Sequence, residues 1–293
     1  MVITMSQRKI ILYTNVESDA NFVVTKKVAN ILKSNGWQIV LCPAIFDEAT
    51  TAPPPSGYTF SYIENELENA EMIITLGGDG TILRAARAAA DLSVPILGVN
   101  LGGKGFMADL EANDIELLNM TNHDEYSLET RLMIDVHLLR DGNIIWHDYA
   151  LNDIVIKGDN KVIDMTIYGD NHKITHFTGD GAVIATPTGS TAYSMAAGGP
   201  IVDPAAKNII ITPICAHILD ARSFVLLSGR IVTVDIGYKK ANPAYISVDG
   251  GKHINIQSGD IVRVLKSEKS TQLVRLSDKS FFSRVSEKLG ERS

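Results

Sequence analysis

The stretch EMIITLGGDGTILRAARAAAD, residues 71–91, is the best guide to the fold of this chain. Its first six residues, 71–76, form an apolar run typical of a buried strand, and the alanine-rich 81–91 is a predicted helix. Between them lies GGDGT, residues 77–81, a turn that follows the carboxyl end of the strand. In open α/β sheets this edge is where ligands bind, so the turn is a candidate binding site.

The segments around this stretch alternate in the same way. Three further apolar runs are predicted strands: 9–15, 38–42 and 95–100. Residues 19–34 are a predicted helix, for which Ser18 or Asp19 provides a cap, and the proline-rich 51–57 is a predicted loop. Because strands alternate with helices, residues 1–125 are expected to form an α/β nucleotide-binding domain of Rossmann type, with a parallel sheet between helices.

The pattern changes after about residue 125. Short strand-like runs separated by turn signals then follow: 131–139, 143–149, 154–157, 162–168, 173–177, 182–186, 231–238, 244–248, 261–265 and 272–276. Asp141-Gly142 is a hairpin signal, and 281–290 is a predicted short amphipathic helix. Such a series is typical of a β-sandwich or a related all-β domain, which is expected over residues 126–270.

The composition excludes several classes of protein. The 293 residues include 27 Lys and Arg against 34 Asp and Glu, and this acidic balance argues against a nucleic-acid binder. No apolar stretch reaches the length of a membrane span, and residues 1–10 lack the apolar core of a secretory signal. Two cysteines, Cys42 and Cys215, cannot form a disulfide scaffold or a four-cysteine zinc site. We expect a soluble cytoplasmic protein with no membrane partner and no protein-held metal.

The turn 77–81 has two open interpretations. Its glycines allow close approach of a nucleotide, and Asp79 presents a carboxylate with no neighbouring side chain to neutralise it. The alternative is a tight strand–helix turn in which Asp79 caps the helix. A Walker A loop is excluded, because no Lys-Ser or Lys-Thr pair follows the glycines.

Two later segments also carry polar groups suited to a nucleotide. Residues 179–200, GDGAVIATPTGSTAYSMAAGGP, combine glycines with hydroxyl side chains and Tyr193, which can stack on a base or on a nicotinamide ring. A loop that caps a helix at 192–197 is the alternative interpretation. Asn152-Asp153 precedes an apolar strand and can bind a ribose or an adenine edge, or form an Asx turn instead.

Together and in this order, these segments resemble the NAD kinase family. The weaker stretch NLGGKGFMAD, residues 100–109, is also similar to the family. GGDGT alone occurs in 6-phosphofructokinases and in diacylglycerol and sphingosine kinases, whereas TPTGSTAYS is much more specific. The resemblance implies an N-terminal α/β domain, a C-terminal β domain, an active site between them, and a tail, 271–293, that returns to the first domain. It also implies a homodimer or a homotetramer.

The implied reaction transfers the γ-phosphoryl group of ATP to the 2′-hydroxyl of the adenosine ribose of NAD, which gives NADP. Asp79 is then the general base, and Mg²⁺ or another divalent cation is expected to arrive with ATP. The resemblance assigns the phosphates of ATP to Gly77, Gly78, Gly80 and Thr81. It assigns NAD to Asp79, Gly80, Phe106, Asn152, Asp153, Asp180, Thr191, Ala192, Tyr193, Ser194, Met195 and Ala196.

Four residues depart from the family pattern. Asp153 stands where many members have Glu, and Thr178 where an Arg often precedes the GDG. Ala196 replaces a common Ser, and Gly251 replaces a Gln found in several members. Two other functions stay open: a lipid or sugar kinase of the wider GGDGT group, and a non-catalytic protein that senses NAD or NADP.

Overall fold

The computed structural model describes residues 8–45, 52–103, 105–123, 125–218, 221–237 and 242–290. The chain divides into two compact units. The first extends to Thr130 and resumes at Thr271, and the second is Arg131–Ser270. The domain limits at 125 and 270 stay predictions, and residue 51 of the predicted proline-rich loop lies outside the described residues.

Helices and strands cover most of the described chain. The α-helices are α1 (Val23–Ser34), α2 (Ile63–Glu66), α3 (Asp79–Ala89), α4 (Tyr193–Ala196) and α5 (Phe281–Gly290). The strands are β1 (Lys9–Thr14), β2 (Gln38–Pro43), β3 (Ala70–Gly77), β4 (Ile96–Asn100), β5 (Leu110–Glu111), β6 (Ser127–Arg140), β7 (Asn143–Ala150), β8 (Asp153–Gly158), β9 (Ile163–Gly169), β10 (His172–Gly179), β11 (Gly181–Ala185), β12 (Asn208–Ile214), β13 (Phe224–Leu227), β14 (Val232–Ile236), β15 (Ala244–Val248), β16 (Ile254–Ile256) and β17 (Ile261–Arg275). Short 3-10 helices are Ala20–Phe22, Ile115–His123 and Thr188–Thr191.

The first unit is built on a parallel sheet in the order β2-β1-β3-β4, with β5 beside β4. Strands β1, β3 and β4 are apolar and buried almost throughout, as expected for a parallel sheet covered by helices. The predicted α/β class is therefore confirmed. Because the strands are parallel, their carboxyl ends share one edge, where Gly77 pairs with Asn100.

Two predicted helices of this unit start elsewhere. The helix predicted from residue 19 begins at Val23, because Asn21 and Phe22 adopt left-handed backbone angles with φ of 58° and 56°. Asp19 still accepts the N–H groups of Val24 at 2.9 Å and Thr25 at 2.8 Å, so it stabilises the first turn. Helix α3 was predicted from residue 81 and begins at 79. Asp79 is thus inside the helix, and Gly78 is the N-cap.

The residues after Thr271 belong to the first unit. Asp109, whose carboxylate is buried, accepts the backbone N–H of Leu276 at 2.8 Å and that of Ser277 at 2.9 Å. Leu273 of β17 pairs in parallel with Ile96 of β4. These contacts attach the C-terminal tail to the segment that follows β4.

The second unit contains two antiparallel sheets and a hairpin. One sheet has the order β13-β12-β11-β8-β15-β16, and the other includes β10-β9-β14-β17. Buried side chains from both sheets, such as Ile154, Ile184, Met165 and Val234, form one core. The predicted sandwich-like β domain is confirmed. The β6–β7 hairpin also forms as predicted.

Several elements of this unit differ from prediction. The runs 261–265 and 272–276 are one long strand, β17, and the strands β12 and β13 were not predicted. The helix predicted at 192–197 is the single turn α4, which Gly198 ends with a φ of 87°. None of the helices in the described ranges has the length and apolar character needed to span a bilayer.

Candidate active site

Asp79 is held by the backbone of a neighbouring loop. Its Oδ2 accepts the N–H of Phe106 at 2.9 Å, and its Oδ1 accepts the N–H of Met107 at 3.2 Å. The side chain is half-buried, and no Lys or Arg among the described residues lies within ion-pair distance of it. The carboxylate is therefore fixed in direction but keeps its charge available for chemistry.

Burial raises the pKa of the Asp79 carboxyl above its ordinary value. The N–H groups of Phe106, Met107 and Ala108, and the positive charge of Lys288, oppose this rise in pKa. A carboxylate with a raised pKa is a stronger base than a solvated one. Such a shift suits a group that accepts a proton.

The glycines around Asp79 fall into two kinds. A side chain at Gly77 would overlap Oγ1 of Thr81, so the packing of the turn requires glycine there. A side chain at Gly105 would lie 2.8 Å from Oδ1 of Asp79, so glycine there keeps the carboxylate in its place. A Cβ at Gly78 or Gly80 would meet nothing within 4 Å, and neither residue has a positive φ. The fold does not explain these two glycines, whereas close approach of a ligand does.

A second group of predicted site residues lies at the start of β8. Asp153 opens this strand opposite Ala185 of β11, and Asn152 precedes it. We call residues 151–153 the corner. Thr186 fixes it, because the Thr186 N–H donates to the C=O of Asn152 at 2.8 Å and the Thr186 hydroxyl donates to the C=O of Leu151 at 2.5 Å. The hydroxyl-rich segment is thereby fixed against Asn152-Asp153.

Asn152 has an unused acceptor. The residue is 8% exposed, and its buried Oδ1 has no hydrogen-bond partner among the described residues. A buried acceptor without a donor is costly, so native structures rarely keep one. The plain Asx-turn interpretation does not account for this oxygen, whereas a ligand that donates a hydrogen bond does.

Asp153 is 5% exposed and its pKa is raised to about 7. Burial is the main cause, the negative charge of Asp249 adds to it, and the backbone N–H of Tyr193 opposes it. Sequence reasoning did not place Asp249 in the site. In this segment the sequence distinguishes only the neighbouring Gly251, which departs from the family pattern.

The other predicted NAD residues occupy different surroundings. Ser194 is fully buried, and its hydroxyl lies 2.9 Å from that of Thr212. Thr191 donates its hydroxyl to the C=O of Thr188 at 3.2 Å. In the same segment, Ala192, Tyr193 and Met195 are half-buried and Ala196 is exposed. The hydroxyl of Ser194 thus supports the fold, and its contact with NAD stays a prediction.

Asp180 lies apart from the Asn152-Asp153 corner. It precedes β11. The first residue of β11, Gly181, pairs with Lys157 of β8, and the last, Ala185, pairs with Asp153. The four steps from Gly181 to Ala185 span roughly 13 Å. The carboxylate of Asp180 is half-buried and has no hydrogen bond or ion pair to the part of the chain that the structure describes. The two acids therefore lie at opposite ends of the β8–β11 strand pair.

Thr81 and Phe106 of the first unit are buried, with 2% and 9% of their surfaces exposed. In the described ranges, no three His, Cys, Asp or Glu side chains are grouped so that they could hold a metal ion.

Comparison with known proteins identifies the family. Models of the ATP-NAD kinase N-terminal and C-terminal domains match residues 10–126 and 151–276. An NAD kinase of Ruminiclostridium cellulolyticum is 37% identical, covering 97% of this chain and 99% of the relative. An NAD kinase from Archaeoglobus fulgidus, solved in complex with ATP, is 25% identical with a TM-score of 0.73, covering 98% of this chain and all of that one. Yeast NADH kinase complexed with NADH has the same fold, with a TM-score of 0.86 at 23% identity, covering 99% of this chain and 89% of that one. This chain belongs to the NAD kinase family.

Proposed function

We propose that Asp79 is the general base of this chain, an ATP-dependent NAD kinase that phosphorylates the 2′-hydroxyl of the adenosine ribose of NAD and yields NADP. One observation carries the assignment: a carboxylate held by two backbone N–H groups lies beside glycines that the fold does not need. A plain turn explains neither the two spare glycines nor the raised pKa of the acid.

The reaction needs one proton transfer. The ribose 2′-oxygen attacks the γ-phosphorus of ATP, the bond from that phosphorus to the β-phosphate oxygen breaks, and ADP leaves. The carboxylate of Asp79 accepts the hydroxyl proton as the new bond forms. Phosphoryl transfer depends mainly on positioning and on neutralising charge, so a carboxylate fixed by Phe106 and Met107 is a sufficient base.

The turn 77–81 is suited to bind the phosphates of ATP. Gly78 and Gly80 leave open backbone at the N-terminus of α3, where the helix dipole and free N–H groups favour anions. Gly77 and the buried Thr81 shape this turn from inside. A divalent cation bound to ATP would neutralise phosphate charge, and Asp79, the carboxylate of this turn, would help to hold it. This set fits a cation bound mainly by phosphate oxygens.

Asn152 and Asp153 bind the adenosine part of NAD. Oδ1 of Asn152 accepts a hydrogen bond from the adenine or the ribose, which satisfies its buried lone pair. Asp153 accepts hydrogen bonds from ribose hydroxyls, Tyr193 stacks on the base, and Asp180 reaches the nicotinamide end. The raised pKa of Asp153 supports this role, because hydroxyl donors of a ligand stabilise its charged form.

We also propose an assembly and a location, which the family resemblance supports. The protein acts in the cytoplasm as a homodimer or a homotetramer, residues 1–125 form the nucleotide-binding domain, and residues 126–270 form the NAD-binding domain. Light scattering on the purified chain measures the subunit number, and a monomer at micromolar concentration contradicts this part.

An assay of NADP formation from NAD, ATP and Mg²⁺ tests the function. Diacylglycerol, sphingosine and fructose 6-phosphate serve as competing acceptors. NADP as the sole phosphorylated product supports the proposal. Phosphorylation of a lipid or sugar instead identifies another kinase of the GGDGT group, and tight dinucleotide binding without turnover identifies a sensor.

A further inference from the structure

Asp249 holds the corner that carries Asn152 and Asp153. Its Oδ2 accepts the N–H of Leu151 at 2.8 Å, and its Oδ1 accepts the N–H groups of Asn152 at 2.8 Å and Asp153 at 3.0 Å. The N–H of Asp249 donates in return to the C=O of Asp153 at 3.0 Å. One side chain thus binds three consecutive N–H groups from a position almost a hundred residues away.

The backbone around Asp249 is shaped for this contact. Strand β15 runs beside β8, with Val248 opposite Ile154, so the next residue arrives at the start of β8. Asp249 then adopts a left-handed φ of 47°, which non-glycine residues rarely adopt. The turn is closed by the N–H of Gly251 to the C=O of Val248 at 2.8 Å and by the hydroxyl of Ser247 to the C=O of Gly251 at 3.0 Å.

The buried Asp153 and the half-buried Asp249 place two acids close together at this corner. A carboxylate that accepts three N–H groups is itself well satisfied, but its charge opposes the ionisation of Asp153 and raises the pKa of that carboxyl. A neutral acceptor in place of the Asp249 carboxylate would fix the backbone without opposing the ionisation of Asp153. The arrangement keeps Asn152 and Asp153 rigid and leaves their side-chain oxygens free of partners from the corner itself.

We propose that Asp249 is a positioning residue for NAD: its carboxylate fixes the 151–153 backbone so that the side chains of Asn152 and Asp153 meet the adenosine part of the substrate. The inference rests on the proposed assignment of these two residues to NAD. It predicts that Asp249 acts on binding of NAD and not on binding of ATP.

The test compares steady-state kinetics of Asp249→Asn with those of the unmodified chain. Asparagine keeps the shape but replaces one acceptor oxygen and removes the charge. We expect the KM for NAD to rise roughly ten- to a hundredfold, the worth of a charge-assisted hydrogen bond, with the KM for ATP within about twofold. Equal rises in both KM values, or an unchanged KM for NAD, overturn the inference.

The pH profile separates positioning from simple support of the fold. The groups that act on the Asp153 carboxyl are Asp249 and the backbone N–H of Tyr193. Removing the charge at 249 is expected to move the midpoint of NAD binding against pH to a lower pH. Asp249→Glu keeps the charge but not the geometry, so it raises the KM for NAD without that shift. A residue that supports the fold but does not act on the Asp153 carboxyl would leave the midpoint in place in both variants, and that outcome would overturn the inference.

Asp170→Asn is the matched control. Asp170 also has a left-handed φ, of 48°, and accepts a backbone N–H, that of Ile231 at 2.8 Å, within the same unit. Its loss is expected to lower the melting temperature without changing the KM for NAD. An equal rise in that KM would show that any weakened turn has this effect, and would overturn the inference.

Ser247→Ala covers the case in which Asp249→Asn does not fold. It removes a hydrogen bond of the turn that carries Asp249 and touches no carboxylate. A selective rise in the KM for NAD supports the inference, and an unchanged KM overturns it. If the unmodified chain forms no NADP at all, the proposed function fails instead, and the two failures are thus distinguished.

Discussion

Arg275 donates a hydrogen bond from Nη1 to the backbone C=O of Met107 at 2.9 Å, and the N–H of that same Met107 holds Asp79 at 3.2 Å. The C=O of Met107 shares a peptide group with the N–H of Ala108, which also lowers the pKa of Asp79. A side chain near the C-terminus therefore supports the loop that orients the proposed base. Hydrogen bonds that are linked in series in this way strengthen one another.

Replacing Arg275 by Lys is expected to slow turnover. The guanidinium is 9% exposed and also contacts Glu129 at 2.7 Å and Asp109 at 3.5 Å, a geometry that a single ammonium cannot reproduce. We expect kcat to fall by roughly tenfold, which corresponds to about 1.4 kcal/mol of barrier, with little change in either KM. Steady-state kinetics measure this. Arg8→Lys is the control, since Arg8 forms an exposed ion pair with Glu71. An unchanged kcat in Arg275→Lys would mean that the loop orients Asp79 without this support.

The two kinds of glycine predict opposite effects of alanine. Gly80→Ala is expected to raise the free energy of unfolding by about 0.5–1 kcal/mol, because alanine favours the first turn of α3 and its Cβ meets no protein atom. The same variant is expected to lose affinity for ATP, because the methyl group occupies the space of the phosphates. Urea unfolding and the KM for ATP measure the two effects.

Gly77→Ala is the counterpart. Its Cβ would overlap Thr81, so we expect a loss of about 1–3 kcal/mol in the free energy of unfolding. A Gly80→Ala protein that binds ATP normally would show that no ligand approaches this turn closely.

The raised pKa of Asp153 predicts a pH-dependent stability in the absence of NAD. Its folded pKa of about 7 exceeds the unfolded reference of about 3.9, so its contribution to stability is complete below pH 4 and is lost as the pH rises to about 7. The slope of this loss is at most about 1.4 kcal/mol per pH unit. Asp153→Asn should remove it, and urea unfolding between pH 4 and 8 measures the difference. Asp159→Asn, at an exposed site beyond the other end of β8, is the control. If the pH dependence survives in Asp153→Asn, another group causes it.

Tyr193→Ala is expected to weaken NAD binding more than ATP binding. Stacking of a base on an aromatic ring is worth about 1–3 kcal/mol, so the Kd for NAD should rise roughly five- to a hundredfold. Tyr193→Phe keeps the ring and should bind NAD almost normally. Calorimetric titration with each nucleotide measures the values. Equal losses for NAD and ATP in Tyr193→Ala would show that Tyr193 is wrongly assigned to NAD.

Local patterns in the sequence were enough to predict the class of both units. The apolar run before 77–81 and the helix after it placed Asp79 at the carboxyl end of a strand, where the structure has it. The loop that holds Asp79 was out of reach, because the hydrogen bonds of Phe106 and Met107 join residues 27 and 28 positions apart in the chain. Neither periodicity nor turn chemistry carries information on such contacts.

The features that were predicted incorrectly from the sequence have similar causes. Strand β17 was divided because its middle, 266–271, is KSEKST, although Ser267 and Thr271 are buried in it. The continuous isoleucine run of β12 carries no alternation and was missed. Asp249 was missed as a site residue because its partners lie 96 to 98 positions away.

The kcat of Asp79→Asn tests the central claim most directly. Asparagine keeps the shape of the side chain but cannot accept the ribose proton. We expect kcat to fall by roughly 10²–10⁴, the usual worth of a positioned base, with the Kd for NAD and the melting temperature close to those of the unmodified chain. Glu116→Gln, an exposed acid of the same unit, should leave kcat unchanged. A near-normal kcat in Asp79→Asn would contradict the account.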